Sequence, residues 1–165
     1  MTRRNLHNQD DSNRYYDWIL FAWEDLQCAA QLFNEPECRN GMAFHCQQCV
    51  EKALKSYILL KSDTLVDGHN LPWLCKRAMR YSKEFAQWMG ACTRLTKCYI
   101  ETRYPADLPL NIDAAQARAY YNAAREIYLF IDRELAELAA ARQEHPRQRT
   151  APSFNQPLRG GTDPL

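Results

Sequence analysis

The sequence lacks any apolar run long enough to cross a bilayer, which takes about 20 consecutive residues in a helix. Its N-terminal stretch, MTRRNLHNQDDSNR, also lacks the apolar core of a secretory signal peptide. We therefore expect a cytoplasmic protein with no membrane partner. Because the cytoplasm is reducing, the seven cysteines are expected to be free thiols rather than disulfides.

Alternating apolar and polar residues, the pattern of a half-buried β-strand, are absent as well, and no internal repeat occurs. Apolar residues instead recur every three or four positions, which is typical of helices with one buried face. The spacing predicts helices at about 13–34, 41–61, 69–90, 91–102 and from 113 past 138. Ser12 is the expected N-cap of the first helix, and Asp113 with Gln116 is expected to form a capping box at the last.

A chain of 165 residues, 46% of them hydrophobic, carries enough apolar surface for one core. The sequence therefore predicts an all-α protein, a four- to five-helix up-and-down bundle, over residues 13–142. Residues 143–165 are dense in proline, glycine, glutamine and arginine and show no periodic apolar face. Because such segments bury too little apolar surface to fold, we expect disorder at 143–165 and also at 1–12.

Charge is unevenly distributed along the chain, although the formal net charge is only +1. Residues 76–103 contain seven lysines and arginines against two glutamates, whereas residues 1–35 contain three arginines against six carboxylates. Salt-bridged helix surfaces would explain this separation, and so would a basic face that binds phosphates. The sequence leaves both interpretations open.

The stretch FHCQQCVEKALKSYILL, residues 44–60, contains Cys46 and Cys49 in a C-x-x-C spacing. A structural zinc site needs about four protein ligands, and no second C-x-x-C or H-x-x-H pair follows. A thioredoxin-like site would require a strand before the motif. We therefore expect both cysteines to pack as small hydrophobic side chains, and the sequence predicts neither a metal nor a cofactor.

A helical wheel divides this stretch into an apolar side and a polar side. Gln47 falls in the middle of the apolar side, where it is expected to hydrogen-bond to another helix. The polar side is predicted to hold the following side chains: His45, Gln48, Cys49, Lys52, Lys55 and Ser56. His45 then belongs either to a solvated face or to an anion-binding site.

Three segments in order resemble the HEPN domain: the stretch at 44–60, HNL at 69–71 and YIETRYP at 99–105, ahead of a long final helix. The resemblance covers about residues 14–138. It implies an all-α bundle that forms homodimers and that often stands beside a minimal nucleotidyltransferase, as in toxin–antitoxin pairs. The aromatic-rich first and last helices also favour a homodimer, because surplus apolar surface marks an interface. The large side chains concerned are Trp18, Trp23, Tyr120, Tyr121 and Tyr128.

Many HEPN proteins are metal-independent ribonucleases that carry an arginine and a histidine with four to six residues between them, the first of these residues being polar. RNGMAFH, from Arg39 to His45, fits this spacing with Asn40 in the polar position. Histidine can transfer protons near neutral pH, and arginine can stabilise charge on a phosphorane. In the ribonuclease members the motif opens a late helix, whereas here it precedes the second. Arg39 and His45 would converge only if that helix began near Gly41.

The resemblance also indicates residues for a phosphate pocket. The predicted set comprises Lys52, Lys55, His69, Arg103 and Tyr104. His69 would otherwise cap the third helix, and the RYP segment at 103–105 would end a helix before its proline. The favoured function is a HEPN-type nucleotide- or RNA-binding interaction protein with a nucleotidyltransferase partner. The alternatives are a ribonuclease toxin that uses Arg39 and His45, and a purely structural helical adaptor.

Overall fold

The computed structural model describes residues 11–100 and 111–144. Five α-helices occupy this part of the chain: α1 (Tyr15–Leu32), α2 (Arg39–Ser62), α3 (Leu71–Met79), α4 (Met89–Leu95) and α5 (Ala114–Glu144). Short 3₁₀ segments adjoin them at Pro36–Cys38, Lys83–Trp88 and Thr96–Tyr99. Within the described residues there is no β-strand, so the predicted all-α bundle is confirmed.

Helix α2 forms the centre of the bundle. Helix α1 packs antiparallel to it, because the Ser56 hydroxyl, late in α2, donates to the carbonyl of Tyr15 at the start of α1. Helix α5 runs in the same direction as α2, since Arg142 near its end donates to the carbonyl of Leu60. The α3–α4 region covers a further side of α2, where the ring of Tyr57 lies 4.5 Å from that of Phe85.

These neighbours bury α2 on nearly every side. Fifteen of its 24 residues are buried, so the predicted polar side is largely covered. Lys55 and Ser56 of that side are buried, and the burial of Cys49 confirms its predicted packing as a small hydrophobic side chain. Periodicity identifies the side that is most apolar, but it does not show which polar side chains a second neighbour will cover.

The helix ends agree in part with the local signals. The capping box is confirmed, because Asp113 accepts from the Gln116 N–H at 2.8 Å and Gln116 accepts from the Asp113 N–H at 3.1 Å. The prediction for Ser12 is wrong: Arg14 is the N-cap residue of α1, while the Ser12 hydroxyl donates to the Asp17 carboxylate. Through that bond Ser12, which precedes the helix, contacts a side chain of the first turn of α1.

The predicted third helix, at 69–90, is interrupted. Helix α3 ends at Met79, and the chain resumes as a 3₁₀ segment whose N-cap is Ser82, its hydroxyl accepting from the Glu84 N–H. Serine favours such caps because its side chain competes with the backbone for hydrogen bonds. None of the described helices is both long enough and apolar enough to span a membrane.

The cysteines of the C-x-x-C stretch lie in the core. Cys46 and Cys49 are completely buried, and all seven cysteines are free. Burial raises the pKa of both thiols above the usual value, which opposes the thiolate that a zinc site requires. Among the described residues no group of three histidine, cysteine or acidic side chains is arranged to hold a metal ion. That the protein carries no zinc stays a prediction.

Candidate functional site

Asp25 is a buried carboxylate on α1 that holds two basic side chains of α2. Nδ1 of His45 lies 2.8 Å from its Oδ1, and Nζ of Lys52 donates to its Oδ2 at 2.5 Å. His45 and Lys52 are two helical turns apart, so both reach the same side of α2. We call these three residues the Asp25 cluster. Because Nδ1 is engaged, Nε2 is the nitrogen of His45 that remains for another partner, and the side chain is 29% exposed.

Glu51 organises a second group in the same way. Its Oε1 accepts from Lys55 Nζ at 3.0 Å and lies 2.9 Å from Nδ1 of His69, while Oε2 accepts from Gln47 Nε2 at 3.0 Å. The His69 ring stacks on Tyr99 with centroids 4.2 Å apart. We call Gln47, Glu51, Lys55 and His69 the Glu51 cluster.

Both clusters combine one carboxylate, one lysine and one histidine. In each cluster the carboxylate pairs with the ammonium and also contacts the histidine. The histidine side chains are 29% exposed for His45 and 47% for His69, whereas those of Lys52 and Lys55 are 23% and 7% exposed. The histidines are therefore the groups that can transfer protons or meet an anion. Lys55 is held below the ring of Trp18, 5.4 Å from its centroid.

A cleft of about 360 Å³ lies between the start of α1 and the middle of α2. The lining side chains are Asp11, Ser12, Asp17, Trp18, Phe21 and Lys52. The Trp18 indole is fixed, because Nε1 donates to the carbonyl of Ser12 at 2.7 Å. The hydrogen bond from Ser12, together with the Arg14 guanidinium, lowers the pKa of the Asp17 carboxyl, so this side chain lines the cleft as a carboxylate paired with Arg14.

Arg39 lies away from His45 within one chain. Helix α2 begins at Arg39 itself, behind the 3₁₀ segment Pro36–Cys38, and not near Gly41. Six helical residues separate the two side chains by about 120° around the axis. Arg39 lines a cleft of about 170 Å³ with Phe33 and residues of α5, whereas His45 faces α1. The structure thus brings His45 together with Asp25 and Lys52, and not with Arg39.

Three of the five remaining predicted site residues belong to the two clusters. Lys52 lines the cleft, whereas Lys55 and His69 share Glu51. Asn70, not His69, caps α3, since its side chain accepts from the Trp73 N–H at 2.9 Å. Arg103 and Tyr104 lie outside the described residues.

The side chain of Gln47 is hydrogen-bonded, but to partners other than the predicted one. It does not bond to another helix; its amide donates to Glu51 on its own helix and to the carbonyl of His69 in the loop before α3, at 3.4 Å. Its Oε1 accepts from Gln48 at 2.8 Å. The prediction of a buried, hydrogen-bonded amide is confirmed, but the partner named was wrong.

Sequence reasoning missed the two carboxylates that organise the clusters. Asp25 follows Ala22 by three residues and precedes Ala29 by four, so it shares their buried side of α1. Glu51 stands four residues from both Gln47 and Lys55. The sequence does carry a signal for such a residue: an acidic side chain at a position where the helical spacing predicts an apolar one. A buried carboxylate requires a basic or hydrogen-bonding partner, so the position indicates a cluster.

Comparisons with known proteins agree with this architecture. The structure is similar to that of TT1696 from Thermus thermophilus, with a TM-score of 0.66 and 25% identity over 74% of this chain and 98% of that chain. It is also similar to ST0689, an archaeal HEPN homologue, with a TM-score of 0.58 and 24% identity over 73% of this chain and 97% of that chain. No curated protein matches the sequence. The family model of the HEPN domain matches residues 15–135, and the chain therefore belongs to the HEPN domain family.

Proposed function

We propose that this HEPN protein binds RNA or nucleotides through their phosphates and acts as an interaction protein. The observation that carries the proposal is a group of exposed basic side chains in the α3–α4 region, which we call the basic surface. Its five exposed cations are Lys76, Arg80, Lys83, Arg94 and Lys97. Among the described residues, no ion pair includes any of them. Cations without carboxylate partners favour binding of phosphates over a salt-bridged helix surface.

RNA binding should weaken with salt, and the basic surface should account for part of that dependence. We expect Arg80→Gln with Lys83→Gln to weaken binding of a mixed-sequence single-stranded RNA and to reduce the slope of log K against log salt by about 0.7 per lost phosphate contact. Fluorescence anisotropy between low and moderate salt measures both quantities. Arg125→Gln, at an exposed position of α5, is the control and should change neither.

Two results would contradict the proposal. One is the absence of RNA binding by the unchanged protein at low salt, which would favour the purely structural adaptor. The other is a double variant whose salt slope equals that of the unchanged protein, because the basic surface would then make no phosphate contact.

We also propose that the protein is a homodimer that joins through α1 and α5. A groove of about 590 Å³ between these helices is lined by Tyr16, Ile19, Leu20, Trp23 and the nearby part of α5. Tyr16, Leu20 and Trp23 are 51%, 54% and 43% exposed, and they recur along one side of α1. An exposed apolar stripe of this kind supports an interface. Of the aromatics that favoured a dimer, Tyr120 is buried and Trp18 lines the other cleft.

A charge placed in this groove should separate the dimer. Leu20→Glu is expected to yield a folded monomer at micromolar concentration, because an unpaired carboxylate would be desolvated in the interface. Ala86→Glu introduces the same charge at an exposed position of the Lys83–Trp88 segment, outside the groove, and should leave the dimer intact. Light scattering on both variants gives the mass, and a monomeric unchanged protein would overturn the proposal.

A minimal nucleotidyltransferase partner, as in a toxin–antitoxin module, is proposed from the family resemblance alone. A ribonuclease remains the second candidate function, and one observation favours it. His45 is oriented through Nδ1 by the buried Asp25 carboxylate, which leaves Nε2 as the proton-transferring nitrogen, as general acid–base catalysis requires. Arg39 would then have to contribute from the second copy.

A further inference from the structure

We propose that the cleft between α1 and α2, lined by Trp18, Phe21, Lys52 and Asp17, is a subsite for one amino-bearing nucleobase of a single-stranded RNA. This inference deepens the proposed RNA binding and rests on it. It assigns recognition of a base to the cleft, whereas the basic α3–α4 surface contacts phosphates. Cytosine is expected to bind there in preference to uracil.

The walls of the cleft suit a planar ring. Trp18 and Phe21 are three residues apart and lie on the same side of α1. The indole is held in position by its bond to the Ser12 carbonyl, and the Phe21 ring is 53% exposed. Aromatic side chains presented in this way act as stacking platforms for bases. The volume of about 360 Å³ falls in the range of roughly 300 to 1,000 Å³ typical of small-molecule sites.

The polar lining favours a base over a phosphate. Asp11 and Asp17 contribute carboxylates, which repel a phosphate and accept hydrogen bonds from exocyclic amino groups. Oδ2 of Asp17 already accepts from Ser12 and Arg14, at 2.5 and 2.8 Å, and Oδ1 has no donor among the described residues. A carboxylate with a free oxygen therefore faces the same cleft as the two aromatic rings.

Lys52 supplies the complementary donor. Its ammonium gives one hydrogen bond to Asp25, and an ammonium carries three donors, so two remain. Cytosine presents an amino group and a carbonyl oxygen at the two ends of its Watson–Crick edge, which matches a cleft that contains both a carboxylate and an ammonium. Uracil has a carbonyl where cytosine has the amino group, and this carbonyl would meet a carboxylate.

The test compares oligo(rC), oligo(rU) and an abasic strand of the same length, so that the phosphate charge is constant. The unchanged protein is expected to bind oligo(rC) more tightly than oligo(rU), and the abasic strand most weakly. Phe21→Ala should weaken oligo(rC) binding by roughly 5- to 100-fold and leave binding of the abasic strand unchanged. Asp17→Asn should reduce the preference for cytosine over uracil. Gln31→Ala removes an exposed side chain of α1 outside the cleft and should have no effect.

The outcomes separate this inference from the proposed function. If RNA binds with the expected salt dependence but Phe21→Ala binds oligo(rC) as the unchanged protein does, the base subsite is wrong and RNA binding stands. Equal affinity for the cytosine and uracil strands overturns the proposal that the cleft recognises the amino group of the base. If no strand binds, both proposals fail. Circular dichroism and thermal melting verify that Phe21→Ala is folded, as its exposed side chain predicts.

Discussion

Lys55→Met is expected to lower the free energy of unfolding by about 3 to 5 kcal/mol, because it leaves the Glu51 carboxylate buried without its ammonium partner. Glu51 and Lys55 are among the few buried charged residues, and Nζ lies 3.0 Å from Oε1. Methionine preserves the length and apolar stem of lysine, so the loss reports mainly on the charge. Urea denaturation gives the free energy from the midpoint and slope.

Removing both charges should reverse most of this loss. The double variant Glu51→Gln with Lys55→Met is expected to be more stable than Lys55→Met alone, since a neutral amide costs far less to bury than an unpaired carboxylate. Lys76→Met, at an exposed position of α3, should change the stability by no more than about 0.5 kcal/mol. A Lys55→Met protein as stable as the Lys76→Met control would contradict this expectation, because the buried ion pair would then add nothing to stability.

His45→Ala is expected to reduce any metal-independent cleavage of RNA by roughly 10²- to 10⁴-fold while changing RNA affinity little. The reason is that Nε2 of an oriented imidazole transfers protons, whereas phosphate binding depends mainly on lysine and arginine. Asp25→Asn should also slow cleavage and change its pH profile, because the amide no longer orients His45 as the carboxylate does. Single-turnover cleavage in the presence of a chelator, measured across pH, gives these rates.

The Arg39→Ala variant distinguishes a ribonuclease site within one chain from a site shared by two copies of the chain. Within one chain Arg39 lies away from His45, so Arg39→Ala affects cleavage only if a second copy brings its guanidinium to the site. Mixing Arg39→Ala with His45→Ala subunits should then restore part of the activity, since one composite site would be intact. If the unchanged protein cleaves no RNA at any pH, the ribonuclease alternative is overturned and the binding proposal is unaffected.

Sequence reasoning succeeded where a signal is local or periodic. The apolar spacing along α1, α2 and α5 predicted these helices to within a few residues, and the Asp113 capping box depends on neighbours only three residues apart. The break after Met79 was missed because the apolar period continues across it, while serine at position 82 starts a new segment. The apolar spacing alone therefore does not show whether a helix continues through a residue that can act as an N-cap.

The site was harder to predict because its contacts join residues that are far apart in sequence. Lys52 and His45 were predicted as site residues from the polar side of α2, but Asp25, which holds both, comes from another helix. Pairing them requires knowing how α1 crosses α2. The same limit explains Lys55, which the wheel placed on the polar side of α2 and which contacts Trp18 and Glu51. A wheel describes one helix, whereas burial depends on its neighbours.

The bond from Arg142 to the carbonyl of Leu60 has a practical consequence for anyone who shortens or fuses this protein. The family match ends at residue 135, yet Arg142 satisfies one of the last carbonyls of α2, which have no partner within their own helix. A cut at the family boundary would release the end of the central helix as well as the final turns of α5. The unit to preserve in expression, crystallisation or tagging therefore extends at least to Arg142.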